Sequence, residues 1–166
     1  MVQVADILEV GPWDVVLLAF LGYLIYRFFF KKQPEIDFPK APPRLPPLDM
    51  KDMTLEELRP YDGVQDERVL LAVCGNIYDV TRGKDFYGPG GPYEKLAGHD
   101  ATRALATFDA KAVKDEHDDL EGLTQDDLND AKEWDEKLRV KYEFVGKLLK
   151  PGESPTDYGD RKAAIQ

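Results

Sequence analysis

The sequence predicts an α+β domain preceded by a single transmembrane helix, on three observations. Short β-rich runs at 69–74, 77–80 and 142–148 alternate with helix-start signals, the pattern of short helices packed on a small sheet. Residues 15–26 carry no charge and are mostly apolar, with Phe28, Phe29 and Phe30 extending the run beyond Arg27. Between these parts lies a stretch with prolines at 34, 39, 42, 43, 46 and 47, which cannot hold a helix. The implied order is a short N-terminal segment (1–12), a transmembrane helix (13–30), a proline-rich linker (31–50), the domain (51–150) and a disordered polar tail (151–166).

A helix rises 1.5 Å per residue, so residues 13–30 reach roughly 27 Å, enough for a thin bilayer. Arg27 snorkels near one end, and Trp13, Tyr23 and Tyr26 suit the interfaces. Asp6, Glu9 and Asp14 precede the run with no Lys or Arg, unlike the basic start of a cleaved signal. Arg27, Lys31 and Lys32 follow it, so the positive-inside rule places the C-terminal domain in the cytosol. Cys74 is the only cysteine, which excludes an intrachain disulfide, agrees with a reducing compartment and is expected to be buried in its strand. The linker favours extended polyproline II and reads as a spacer. Within it, Pro39-Lys40-Ala41-Pro42-Pro43-Arg44 also fits the pattern read by SH3 domains.

Within the domain, Thr54-Leu55-Glu56-Glu57 is a capping box, and Pro60 limits the helix it opens. Gly75-Asn76 signals a hairpin between the first two β-runs. Asp100 is placed to cap a short helix, and Thr124 starts a longer one through Trp134 and Leu138. The net charge of −10 argues against a nucleic-acid binder, which needs a basic face. No nucleophile–base constellation, phosphate loop or metal-ligand cluster appears, so an enzyme is not expected. Acidic pairs such as Asp118-Asp119 read as solvated turns.

The most distinctive stretch is Phe86-Tyr87-Gly88-Pro89-Gly90-Gly91-Pro92-Tyr93, followed by Ala97-Gly98-His99-Asp100-Ala101-Thr102. It resembles the haem-pocket loop of the cytochrome b5 fold, with glycine in place of the loop histidine. With Leu105-Ala106-Thr107-Phe108 and Lys141-Tyr142-x-x-Val145-Gly146-Lys147, these motifs resemble the membrane-associated progesterone receptor component family. The resemblance covers about 54–155 and implies a cytochrome b5-like heme/steroid-binding fold behind a membrane anchor. It implies residence in the endoplasmic reticulum membrane, with the plasma membrane as the alternative. It also implies haem b as cofactor, steroid as a further ligand, and mono-oxygenases or receptors as partners, with a second copy of the chain as another.

Residue by residue, the resemblance makes Tyr93 the iron ligand and sets Tyr87, Lys141 and Tyr142 around the haem. A phenolate is a hard anionic ligand that favours ferric iron. His99 falls at a variable position and His117 in an acidic turn, so neither is expected on iron. The function implied is a non-enzymatic membrane adaptor. The alternatives are a b5-type electron carrier, which the missing histidine pair disfavours, and a cofactor-free SH3-binding scaffold.

Overall fold

The computed structural model describes residues 11–29 and 45–165. Most of the N-terminal segment, the linker through residue 44 and the 39–44 motif lie outside the described residues. The chain divides into two units, Met1–Pro42 and Pro43–Gln166.

The described part of the first unit is one helix, α1 (Pro12–Phe29). The Asp14 carboxylate accepts the Gly11 backbone N–H at 2.8 Å, and Arg27 sits in the last turn, both complementing the helix dipole. Among the described residues no helix is long and apolar enough to cross a membrane, so the span expected at 13–30 is not met. Asp14 and Arg27 bracket an uncharged stretch well short of the roughly 20 apolar residues that a crossing requires.

The second unit is α+β. Its elements run α2 (Leu55–Leu58), β1 (Leu70–Val73), β2 (Asn76–Asp79), a 3₁₀ turn (Thr81–Gly83), α3 (Lys84–Tyr87), a second 3₁₀ turn (Glu94–Leu96), α4 (Thr102–Ala106), α5 (Gln125–Lys141) and β3 (Glu143–Lys147). The strands form an antiparallel sheet in the order β1-β2-β3, with a register shift at Ile77/Tyr78. Every residue of β1 is buried, because both faces of the sheet are covered. Leu71, Val73 and Tyr78 face a core shared with α4 and α5, while Leu70, Ala72 and Ile77 pack with Met53, Leu58 and Leu148.

The predicted capping box at Thr54 forms, and a second one, not predicted, forms where the helix start at Thr124 was expected. Thr54 pairs reciprocally with Glu57, and Thr124 with Asp127 at the head of α5. The Asp100 carboxylate accepts the Thr102 N–H at 3.0 Å. Cys74 departs from expectation. It and Gly75 form the two-residue hairpin turn with φ of 51° and 77°, the left-handed pair this turn requires, and Cys74 is exposed. Crowding by its surroundings, then the charges of Asp135 and Asp100, push its thiol up to about 11.

The tail is a second correction. Residues 151–165 pack against the domain rather than hanging free. Ala163 is buried, and bridges pair Asp49 with Lys162 and Phe144 with Ala164. Asp52, 2% exposed, holds this arrangement: it accepts the Lys147 N–H at 2.6 Å, the Thr156 N–H at 2.8 Å and the Tyr158 hydroxyl at 2.5 Å. Burial alone raises the Asp52 pKa, and the hydrogen bonds from Tyr158, Thr156 and Lys147 outweigh it, leaving it below the usual carboxylate range. The tail is polar, yet its polar groups satisfy a buried carboxylate instead of water. Asp52→Ala strands these donors and is expected to cost about 2–3 kcal/mol in urea unfolding. A midpoint equal to the parent's would show that the tail contributes nothing.

Candidate functional site: a tyrosine-lined cleft

The glycine-proline loop is shaped by its own backbone. The Gly91 N–H donates to the Gly88 carbonyl and the Tyr93 N–H to the Phe86 carbonyl, each at 2.9 Å. Gly90 takes φ of 79°. A Cβ at Gly91 would lie 2.5 Å from the Phe86 carbonyl oxygen, so only glycine fits there. This closure folds Tyr93 back beside Tyr87, with ring centroids 6.1 Å apart at 36°. Tyr87 in turn meets Tyr142, which follows α5, edge-on at 6.1 Å.

Tyr87 and Tyr93 form one wall of a cleft of about 200 Å³. Leu96, α4 residues Ala104 and Leu105, Phe108, Ala110 and α5 residue Trp134 complete it. Tyr93 is 45% exposed, whereas Tyr142 is buried behind Tyr87. Burial, then the neighbouring phenols of Tyr142 and Tyr93, push Tyr87 up to about 12. Tyr87 therefore stays a neutral phenol, fitted to donate a hydrogen bond rather than to act as an anion. Lys141 ends α5 on the surface, with its ammonium 5.1 Å from the centre of the Tyr142 ring. Two of the four residues singled out in the sequence, Tyr87 and Tyr93, thus line one cleft; Tyr142 lies behind Tyr87 and Lys141 beside Tyr142, and neither lines it.

The histidines lie elsewhere. His99 has Nδ1 2.7 Å from the Ala97 carbonyl oxygen and Nε2 3.4 Å from Asp115 Oδ1. His117 lines a separate groove of about 580 Å³ with Arg59, Asp100, Asp115 and Lys150. That groove is larger, but it is strongly charged and carries no phenol. Mostly apolar walls with a few convergent polar groups mark small-molecule sites, and the tyrosine cleft has them.

Two buried carboxylates that sequence reasoning missed position the walls. Asp118, expected in a solvated turn, is buried. It accepts Arg103 Nε at 2.5 Å and Nη2 at 2.8 Å, Lys114 Nζ at 2.8 Å and the Leu120 N–H at 2.9 Å. These contacts hold the loop carrying Phe108 and Ala110 against α4. Asp135 accepts the Tyr78 hydroxyl at 2.7 Å and Asn76 Nδ2 at 2.9 Å, fixing α5, and so Trp134, to the hairpin. Trp134 and the α4 residues carry no chemical mark in the sequence beyond helical spacing and the Leu105–Phe108 motif.

Residues 54–149 match the model of the cytochrome b5-like heme/steroid binding domain. Protein vem-1 of Caenorhabditis elegans is 49% identical over 95% of this chain and 85% of its own length. Membrane-associated progesterone receptor component 2 of Homo sapiens is 49% identical over 71% of this chain, which spans only 54% of that relative. Cytochrome P450 regulator dap1 of Schizosaccharomyces pombe is 34% identical over 84% of this chain and 87% of its own. A solved Arabidopsis thaliana protein with a cytochrome b5 like fold is 34% identical, with a TM-score of 0.53 over 64% of this chain and 96% of that one. With its α+β core, its tyrosine-lined cleft and these likenesses together, the chain belongs to the cytochrome b5-like heme/steroid-binding family, among the membrane-associated progesterone receptor components.

Proposed function

We propose that the tyrosine cleft binds haem b through the Tyr93 phenolate, and that the protein is a non-enzymatic adaptor for partner membrane proteins. The observation that carries the reading is the pairing of exposed Tyr93 with neutral Tyr87 in an apolar cleft that no imidazole lines. The residues fit the group. Leu96, Leu105, Phe108 and Trp134 suit a flat macrocycle, and the phenols supply hard oxygen donors. The cleft is smaller than the roughly 300–1,000 Å³ usual for ligand pockets, so these walls would enclose a bound macrocycle only in part. Haem, when bound, would supply a ferric centre able to meet a ligand or partner.

Tyr93 provides the anionic oxygen. Tyr87 donates a hydrogen bond near it, and Lys141 offsets negative charge beside Tyr142. A single phenolate suits ligand or partner binding better than the fast electron exchange of a bis-histidine site. The relative described as a cytochrome P450 regulator supports mono-oxygenases as the partner class. The apolar walls suit a steroid as well, in competition for the same cleft. Membrane-associated relatives support association with a membrane; the apolar sequence around α1 is the proposed tether, and the basic residues that follow it favour the domain on the cytosolic face of the endoplasmic reticulum.

Titration of the purified full chain with ferric haem tests this. The expected result is saturable one-to-one uptake that a steroid reduces by competition. Uptake no greater than that of an unrelated acidic protein would overturn the haem reading.

A further inference from the structure

We infer that the rim of the tyrosine cleft docks onto an anionic lipid surface, so that the cleft opens against the membrane. The inference rests on the proposed membrane tethering, and its test reports that reading separately. Among the described residues of the second unit, the exposed large hydrophobic side chains are Val64, Phe86, Tyr93, Phe108, Val140 and Ile165. All the aromatic ones belong to the cleft or its loop: Tyr93 and Phe108 line it, and Phe86 adjoins Tyr87. Phe108 is 72% exposed and sits at φ of 53°, a left-handed conformation that costs a phenylalanine about 1 kcal/mol or more. Such a residue gains nothing from burial in the fold it strains.

The charge of the loop and α4 side of the cleft runs against that of the chain. The chain carries −10 overall, yet residues 81–114 hold six Lys or Arg against four Asp or Glu. Lys95 adjoins wall residue Leu96, Lys111 adjoins Ala110, and Lys141 lies beside Tyr142. None of the three makes an ion pair among the described residues. Exposed aromatic rings interleaved with long-armed lysines that form no ion pair are the chemistry of an interfacial membrane contact: the rings enter the acyl boundary and the ammonium groups stay with anionic head groups. A basic protein surface is excluded by the sign of these lysines. Docked in this way, the cleft receives an apolar ligand directly from the bilayer.

Trp134 in the cleft wall and Trp13 in α1 are the only tryptophans, so each reports alone when the other is replaced by Phe. The full chain carrying Trp13→Phe is mixed with vesicles containing brominated phosphatidylcholine and about 30% phosphatidylserine. Emission from Trp134 is expected to fall about twofold. The quenching disappears without phosphatidylserine, at high salt, and in the added double variant Phe108→Asp/Lys111→Glu. Trp13 quenching in the Trp134→Phe chain reports tethering independently and is unaffected by that double variant. Unquenched Trp134 on anionic vesicles, or quenching equal in the double variant, overturns the docking. If Trp13 is quenched while Trp134 is not, tethering stands alone and the rim serves a protein partner instead.

Discussion

Tyr93→Phe is expected to lower haem affinity more than about 100-fold while leaving the fold intact, the loss of the proposed metal ligand exceeding the 10–100-fold cost usual for residues that only support one. The substitution removes one oxygen and keeps the ring. The Tyr93 hydroxyl makes no hydrogen bond among the described residues and the side chain is 45% exposed, so thermal unfolding is expected to be unchanged. Tyr87→Phe provides the contrast. Tyr87 is held neutral by burial and its neighbouring phenols, so its loss removes a donor and not the anion. About a tenfold loss is expected there, with the spectrum of the bound haem retained. Equal effects of the two substitutions on affinity and spectrum would contradict the assignment of separate roles.

The second large effect is on stability. Asp118→Ala is expected to cost about 3–5 kcal/mol, a large share of the roughly 5–15 kcal/mol that holds a domain folded. The carboxylate is almost fully buried and receives Arg103 in a two-pronged contact together with Lys114. Its removal leaves the buried part of the Arg103 guanidinium facing an unfilled gap. Because Arg103 is the main cause, the Asp118 carboxyl lies far below the usual range in the folded protein. A depressed folded pKa stabilises the fold fully above the unfolded value near 3.9, and that stability is lost as pH falls through the folded pKa. The parent is therefore expected to lose stability steeply below about pH 4, and Asp118→Ala to lose less over that window. Urea unfolding at neutral and acid pH reads both effects. Parallel pH profiles for the two proteins would show that Asp118 does not carry the acid dependence.

What could be read from the sequence was local. The capping box at Thr54 and the helix start at Thr124 are written within four residues, and both elements begin there. The glycine-proline loop also closes over a few residues, so its two tyrosines meet. Contacts set by distant partners were not legible. Asp52 meets Tyr158 across 106 positions, which turned a segment read as a free polar tail into a packed strap. Asp118 looked like one more acid in a charged turn until Arg103, 15 residues earlier, was placed on it by α4. Cys74 was read as the end of a strand because its neighbours are apolar, yet the hairpin needed two left-handed residues and used Cys74 with Gly75. The span expected at 13–30 is not met either, because among the described residues no helix is long and apolar enough to cross a membrane.

In the proposed complex one phenolate, and no imidazole, holds the iron. Resonance Raman spectroscopy of the ferric haem complex tests it most directly. The account predicts phenolate vibrations enhanced in a high-spin spectrum, shifted by ring-deuterated tyrosine and absent in Tyr93→Phe. A low-spin spectrum with two nitrogen ligands, or phenolate bands that persist in Tyr93→Phe, would contradict it.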